Sequence, residues 1–334
     1  MSQLKFAIDF DSSYTSIYKL GSGVVLSEPT VAAVLDNSDC EIKALGKEAY
    51  KLIGKTTKDM KIVFPVFEGE IVNEKVAIKM LSSFLNKVGF KNKLSSPSVI
   101  FGVPCGVTSD ILAKYKKVAT AVGLGKVYFA EKPMLSALGQ RIALADSSAR
   151  LVIDMGGGTT SVSALSLSGV IAGLSINYGS NKISADIIDY LSERFGVQIG
   201  LQTAEKLKNE IGSLDEGDGL SAIVSGRNVL TGEVKTMTVR AGDILLPIKA
   251  YFDRIAKLTQ SIIKKLPPET ASEIRRSGVY VSGKNSSVYG LERYFSDKLG
   301  FKVSIAKDGL YSVVLGGGIA IGDKEILKKV SIEY

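Results

Sequence analysis

The chain has 334 residues, 45% of them hydrophobic, with 34 glycines, two cysteines, no histidine and a net charge of +8. That length and apolar content are enough for two cored lobes, and so many glycines suit an α/β protein with tight turns. Without histidine, Ser-His-Asp hydrolysis and most zinc chemistry are excluded, and Cys40 and Cys105, at no metal-ligand spacing, fit a reducing compartment.

Met1-Ser2-Gln3 leads at once into an apolar segment, with no signal-peptide pattern and no apolar run long enough to cross a bilayer. A cytoplasmic protein that meets a membrane only at its surface is expected. Strands are predicted at 5–9, 16–20 and 31–35, then a lysine-rich insertion to about 64, a helix over 73–88 and a strand over 98–103. A helix over 109–122 places Ile111, Leu112, Tyr115, Val118, Ala119 and Val122 on one face, as core. The next helix, 132–143, has Pro133 in its first turn, where its missing N–H does no harm, and is placed to bridge two halves. From 150 the pattern restarts. An insertion from about 179 to 242 contains helices at 184–195 and 203–213 and a hairpin over 222–240 around Thr231-Gly232. A long helix, 243–265, stops at Pro267-Pro268, a strand at 278–281 opens a last βα unit, and a glycine-rich helix over 313–322 packs on the first domain. The lysines are spread over several segments and read as solvated surface, without the basic and aromatic interleaving of a nucleic-acid site.

Chemistry concentrates at two turns. Leu151-Val152-Ile153-Asp154-Met155-Gly156-Gly157-Gly158-Thr159-Thr160 runs an apolar strand into an acid, three glycines and two threonines. Backbone N–H groups at residues without Cβ can crowd around an anion, hydroxyls can complete the coordination, and Asp154 would face a cation through water. Alone, it reads equally as a glycine-rich turn between core strands. Phe6-Ala7-Ile8-Asp9-Phe10-Asp11-Ser12-Ser13-Tyr14-Thr15 repeats the plan at the start of the chain. Two such hairpins suggest a duplicated α/β domain with a nucleotide's phosphates clamped between the halves.

With Leu26-Ser27-Glu28-Pro29-Thr30-Val31, Phe101-Gly102-Val103-Pro104, Glu131-Lys132-Pro133 and the segment from Gly200 to Gly212 in register, the chain resembles the bacterial actin homologue family MreB over its whole length. The resemblance implies duplicated actin-like (ribonuclease H-like) domains around a nucleotide cleft, with an inserted subdomain in each half. Domain I would be 1–143, with an insertion at about 30–64 and the C-terminal helix at about 316–334; domain II would be 144–315, with its insertion at about 179–242. It implies ATP and Mg²⁺ held by Asp9, Ser12, Ser13, Tyr14, Gly156, Gly157, Gly158, Thr159, Glu205, Lys208, Gly283 and Lys284, with Asp9 and Asp154 on the metal. It also implies head-to-tail filaments at the inner face of the membrane that organise cell shape or wall synthesis with membrane-bound morphogenesis proteins. Phe90 and Leu94, among lysines, would supply a short contact to anionic lipid.

Several positions depart from the family pattern in one cleft. Asp11 stands at a glycine of the first turn, where a carboxylate would repel a triphosphate unless a cation sits between them or Asp11 turns outward. Lys132 replaces the carboxylate that orients the attacking water, leaving Glu131 or Thr160 as candidate catalytic groups. Asn181 and Lys284 replace an aspartate and a glycine. The expectation is a filament former that binds nucleotide weakly and hydrolyses it slowly or not at all. The alternatives are an active ATPase and a non-polymerising regulator of an MreB paralogue.

Overall fold

The computed structural model describes residues 4–37, 40–90, 96–142, 148–166 and 169–333. Two five-stranded sheets share one plan. In the first, the order is Lys126–Glu131, Ser98–Val103, Lys5–Phe10, Tyr14–Lys19, Gly23–Pro29; in the second it is Val303–Ile305, Val279–Gly283, Arg150–Met155, Thr160–Ser166, Gly169–Ile176. Each opening strand pairs antiparallel with the strand after its turn and parallel with a strand returned through helices, so the duplication extends to strand direction. Parallel strands covered on both faces must be apolar throughout, and Ser98–Val103 is buried at every position.

Helices cover the sheets by the expected apolar stripes. Glu74–Lys87 buries Val76, Ala77, Met80, Leu81, Phe84 and Leu85, and is started by Asn73, whose side-chain oxygen accepts from the Val76 N–H at 3.0 Å. Ser109–Ala121 buries Leu112, Tyr115, Val118 and Ala119. The lysine-rich insertion forms a three-stranded sheet, Ile42–Leu45, Ala32–Leu35 and Met60–Val63, with the short helix Lys47–Lys51. The second insertion holds Ser180–Phe195, Leu201–Ile211 and the hairpin Ser221–Asn228 with Val234–Arg240. Pro267-Pro268 ends the long helix Ala241–Lys265 but also starts another, Pro268–Ser277, that the sequence reading missed. Proline is well placed in the first turn, so the pair is both a stop and a start.

Two expectations are corrected. The bridging helix runs over Lys132–Gly139, not to 143. Arg141 turns left-handed at φ 57°, its N–H bonds to Leu138 O and the Ile142 N–H reaches back to Ala137 O, which is the Schellman ending made with arginine in place of the usual glycine; residues 143–147 lie outside the described residues. Phe90 is no membrane contact: it is 5% exposed and packs edge-on against Phe6 at 6.1 Å. Its proposed companion Leu94 lies outside the described residues. Among the described residues no helix is long and apolar enough to cross a membrane.

The bridging helix crosses the glycine-rich helix Ser312–Gly322 at very close range. A Cβ on Gly316 would lie 1.7 Å from Leu135 O, and one on Gly139 would lie 2.0 Å from Ser312 O. Both glycines are there because the two backbones touch.

Candidate functional site

The duplicated sheets bring the two sequence-marked turns face to face. Asp11, Ser12 and Ser13 link Lys5–Phe10 to Tyr14–Lys19, while Gly156 to Thr159 link Arg150–Met155 to Thr160–Ser166. The second turn is anchored on the following helix: Gly156 O accepts from the Ser180 N–H and Gly157 O from the Asn181 N–H, each at 2.9 Å. The Gly157 N–H is directed across the cleft.

What it meets is a carboxylate. Asp11 Oδ2 accepts from the Gly157 N–H at 2.7 Å and from the Ser13 N–H at 3.4 Å. Asp11 Oδ1 accepts from Lys132 Nζ at 2.6 Å, and the same ammonium lies 3.0 Å from Asp9 Oδ1. Lys132 is 2% exposed and Asp11 5%. Burial alone would raise the Asp11 pKa, but the Lys132 charge and hydrogen bond, with the Gly157 and Ser13 N–H groups, hold it below the usual carboxylate range. Burial likewise works against the Lys132 ammonium, and the charges of Asp11, Asp9 and Asp154 overcome it, raising its pKa well above normal. Asp9 is pushed up to about 7, by burial first and by the neighbouring Asp11 and Asp154 charges, with Lys132 opposing. Asp154 is raised by burial and accepts from Ser282 Oγ at 2.8 Å. The question left by the sequence is thereby answered: Asp11 points inward, and the cation beside it is Lys132.

The other expected residues divide. Ser13 Oγ donates to Asn181 Oδ1 at 2.6 Å, and Ser12 Oγ accepts from the Gly69 N–H at 3.4 Å. Lys284 Nζ donates to Glu205 Oε1 at 2.9 Å and sits 4.9 Å from the centre of the Tyr14 ring. Tyr50 OH donates to Glu205 Oε2 and Gln202 Nε2 to Tyr50 O, so the first insertion reaches over the cleft to the second. Gly283 adopts φ 93°, and a Cβ there would meet Met155 O at 2.2 Å. Lys208 turns away from Glu205 to donate to Ser180 Oγ at 2.7 Å, and burial, with Lys284 nearby, lowers its pKa to about 7. Thr159 is buried in the turn. Neither candidate catalytic group faces the Asp11–Lys132 cluster: Thr160 Oγ1 bonds to Tyr178 O at 2.7 Å and to Tyr251 OH at 2.9 Å, and Glu131 Oε1 accepts from the Gly106 N–H at 3.0 Å.

The cleft is open beside Tyr14 and Lys284 and tight between the acids. Cavities of about 460 Å³ and 510 Å³ flank Tyr14 and Lys284. Between Asp9, Asp11, Asp154, Gly156 and Gly157 only about 20 Å³ remains. The turn carries backbone donors of the kind an anion uses, but the one at Gly157 is taken by Asp11, and a further cavity of about 200 Å³ is lined by Ser12, Ser13, Phe67 and Asn181. The carboxylates are no magnesium site as they stand, because an ammonium lies between Asp9 and Asp11 and Asp154 is taken by Ser282. Among the described residues no cluster of three acidic, histidine or cysteine side chains could hold a metal. Sequence reasoning missed Tyr50 and Ser282, which lie in no motif, and gave no role to Gln202, although it lies in the segment from Gly200 to Gly212. It saw both Asp11 and Lys132 without pairing them, although two departures of opposite charge in one cleft were a usable signal.

A family model described as MreB/Mbl protein matches residues 3–329. The cell shape-determining protein MreB of Escherichia coli (strain K12) is 32% identical over 320 residues, which are 94% of this chain and 92% of that protein. The cell shape-determining protein Mbl of Bacillus subtilis (strain 168) is 27% identical over 323 residues, 96% of this chain and 97% of that one. Among solved structures, MreB 5 of Spiroplasma citri bound to AMPPNP is similar at a TM-score of 0.92 and 29% identity, over 98% of each chain. MamK in a double helical filament is similar at a TM-score of 0.80 and 17% identity, over 96% of this chain and 99% of that one, a likeness of fold alone.

Proposed function

The chain belongs to the MreB/Mbl family, and from that membership we propose that it polymerises into actin-like filaments that organise cell shape, with a nucleotide cleft that binds ATP weakly and does not hydrolyse it. The fold is the duplicated actin-like one. We divide it as 1–143 with the C-terminal helix, and 144–315, each half carrying its insertion. The curated relatives are cell shape-determining proteins, and the S. citri neighbours were solved with AMPPNP and with ADP. These support assembly and a nucleotide in the cleft.

One observation carries the loss of hydrolysis. Where the family pattern has a water-orienting carboxylate, Lys132 presents a buried ammonium already engaged by Asp11 and Asp9. Such a group cannot accept a proton, and general-base catalysis contributes about 10²–10⁴-fold where it operates. Glu131 and Thr160 are held elsewhere and do not replace it. The acids that would face magnesium are committed to Lys132 and Ser282, so binding would not depend on the metal. Assembly at the inner face of the membrane is carried over from the family resemblance, with Phe90 buried on Phe6 and playing no part in it.

The test is phosphate release from ATP by the purified chain, alongside sedimentation and negative-stain microscopy. Filaments with no appreciable turnover are expected. Turnover like that of an ordinary ATPase actin overturns the catalytic reading. A chain that neither turns over nor assembles alone is then mixed with an MreB paralogue, and co-pelleting identifies it as a regulator.

A further inference from the structure

We infer that Asp11 and Lys132 are the resident occupants of the phosphate cradle, carboxylate in the place of a phosphate and ammonium in the place of its cation, so that the two halves are clasped without nucleotide or divalent metal. The inference rests on the reading of this cleft as a nucleotide site.

Four observations converge on it. The Gly157 N–H, the donor a phosphate oxygen would use, is spent on Asp11 Oδ2 at 2.7 Å. A Cβ added at Gly157 would lie 2.6 Å from that oxygen and 2.2 Å from Ser13 Oγ, so Asp11 and Ser13 of the first turn together lie against the open face that the missing side chain creates. The space left beside it, about 20 Å³, is near the least that holds one water molecule and admits no phosphoryl group. Finally, Lys132 Nζ stands 2.6 Å from Asp11 and 3.0 Å from Asp9, supplying a positive charge of its own to the acids.

The bond from Gly157 to Asp11 also joins the halves, since one residue lies in each turn. Ser13 to Asn181 and Tyr50 to Glu205 close the cleft on either side of it. A nucleotide therefore competes with an internal ligand whose effective concentration is set by the fold. It enters only when Asp11 swings out, leaving a carboxylate facing the incoming phosphates.

The experiment compares the wild type with Asp11→Gly, reading equilibrium binding of a fluorescent ATP analogue at concentrations below assembly, with Mg²⁺ and with EDTA. Asp11→Gly is expected to bind at least about tenfold tighter than the wild type, a change of about 1.4 kcal/mol. Its melting temperature should rise with added ATP while that of the wild type stays put. Lys132 keeps Asp9 as a partner in this variant. Should it nevertheless fail to fold, Asp11→Asn, which keeps the volume and removes the charge, carries the same comparison with a smaller gain. A wild type that binds as tightly as Asp11→Gly overturns the inference. In pelleting assays the wild type should assemble in EDTA without nucleotide and Asp11→Gly only with ATP. A wild type that pellets only with ATP and Mg²⁺ overturns the inference and leaves the filament reading standing. A chain that never pellets refutes the filament reading, and the binding comparison, read on monomer, still decides the inference.

Discussion

With no histidine in the chain, the buried Asp9 and Lys208 take over titration near neutrality. Asp9 is raised to about 7, so the stability tied to its proton is fully present below the unfolded value of 3.8 and is lost as pH rises through about 7. Lys208 is lowered to about 7 from 10.5, so its contribution is absent at and below about 7 and grows as pH rises toward 10.5. Thermal melts across pH should show a minimum near neutrality. Asp9→Asn should flatten the acid limb and Lys208→Met the alkaline one, and unchanged limbs would show that these groups do not set the profile. Of the site residues, Asp9, Asp154 and the glycines were legible because their types are restricted at phosphate turns, and Asp11 and Lys132 because they depart from the family pattern that the chain resembles. Where Lys208 points was not, since a lysine on a helix carries no mark of which neighbour its long side chain will find.

At the scale of elements, the crossing of the glycine-rich and bridging helices is the tightest contact described. Gly316→Ala would drive a methyl group into Leu135 O, and separating two packed helices to admit it costs about 1–3 kcal/mol or more. A fall in denaturation midpoint with far-ultraviolet helix content retained is the expected reading. An unchanged midpoint would mean that the crossing relaxes freely. The helices placed from apolar spacing were legible to within a few residues at either end, while Pro268–Ser277 and the short Lys47–Lys51 were not read at all. The stop at Gly139 was not, because Arg141 takes the left-handed conformation that a sequence reader assigns to glycine. Phe90 was misread for a related reason: a lone aromatic among lysines looks amphipathic in one dimension, and only the packing on Phe6 shows which way it faces.

At the scale of the whole molecule, duplication was the strongest signal, since two strand-acid-turn-strand segments announced two sheets of one plan. The contacts that close the molecule were invisible because one partner, Tyr50, lies in no motif, and Glu205 and Gln202 were read without it. Tyr50→Phe removes one hydrogen bond to a carboxylate, worth about 1.5–3 kcal/mol, and leaves the ring in place. Hydrogen exchange should quicken in Lys47–Lys51 and Leu201–Ile211 and stay unchanged in the two five-stranded sheets; uniform exchange would show that the clasp does not hold the insertions.

The pairing of Asp11 with Lys132 also fixes the order in which two substitutions can be tolerated. Measured against the glycine and glutamate of the family pattern, an aspartate arriving first would crowd four carboxylates, at 9, 11, 132 and 154, into one buried space. A lysine arriving first finds Asp9 waiting 3.0 Å away. Reversal is constrained in the same way: Lys132→Glu alone strips Asp11 of its partner, a loss of about 3–5 kcal/mol for a buried pair broken on one side. A carboxylate could thus return at 132 without that loss only after Asp11 had gone, so the present pair is guarded against single-step reversion by the fold's own stability.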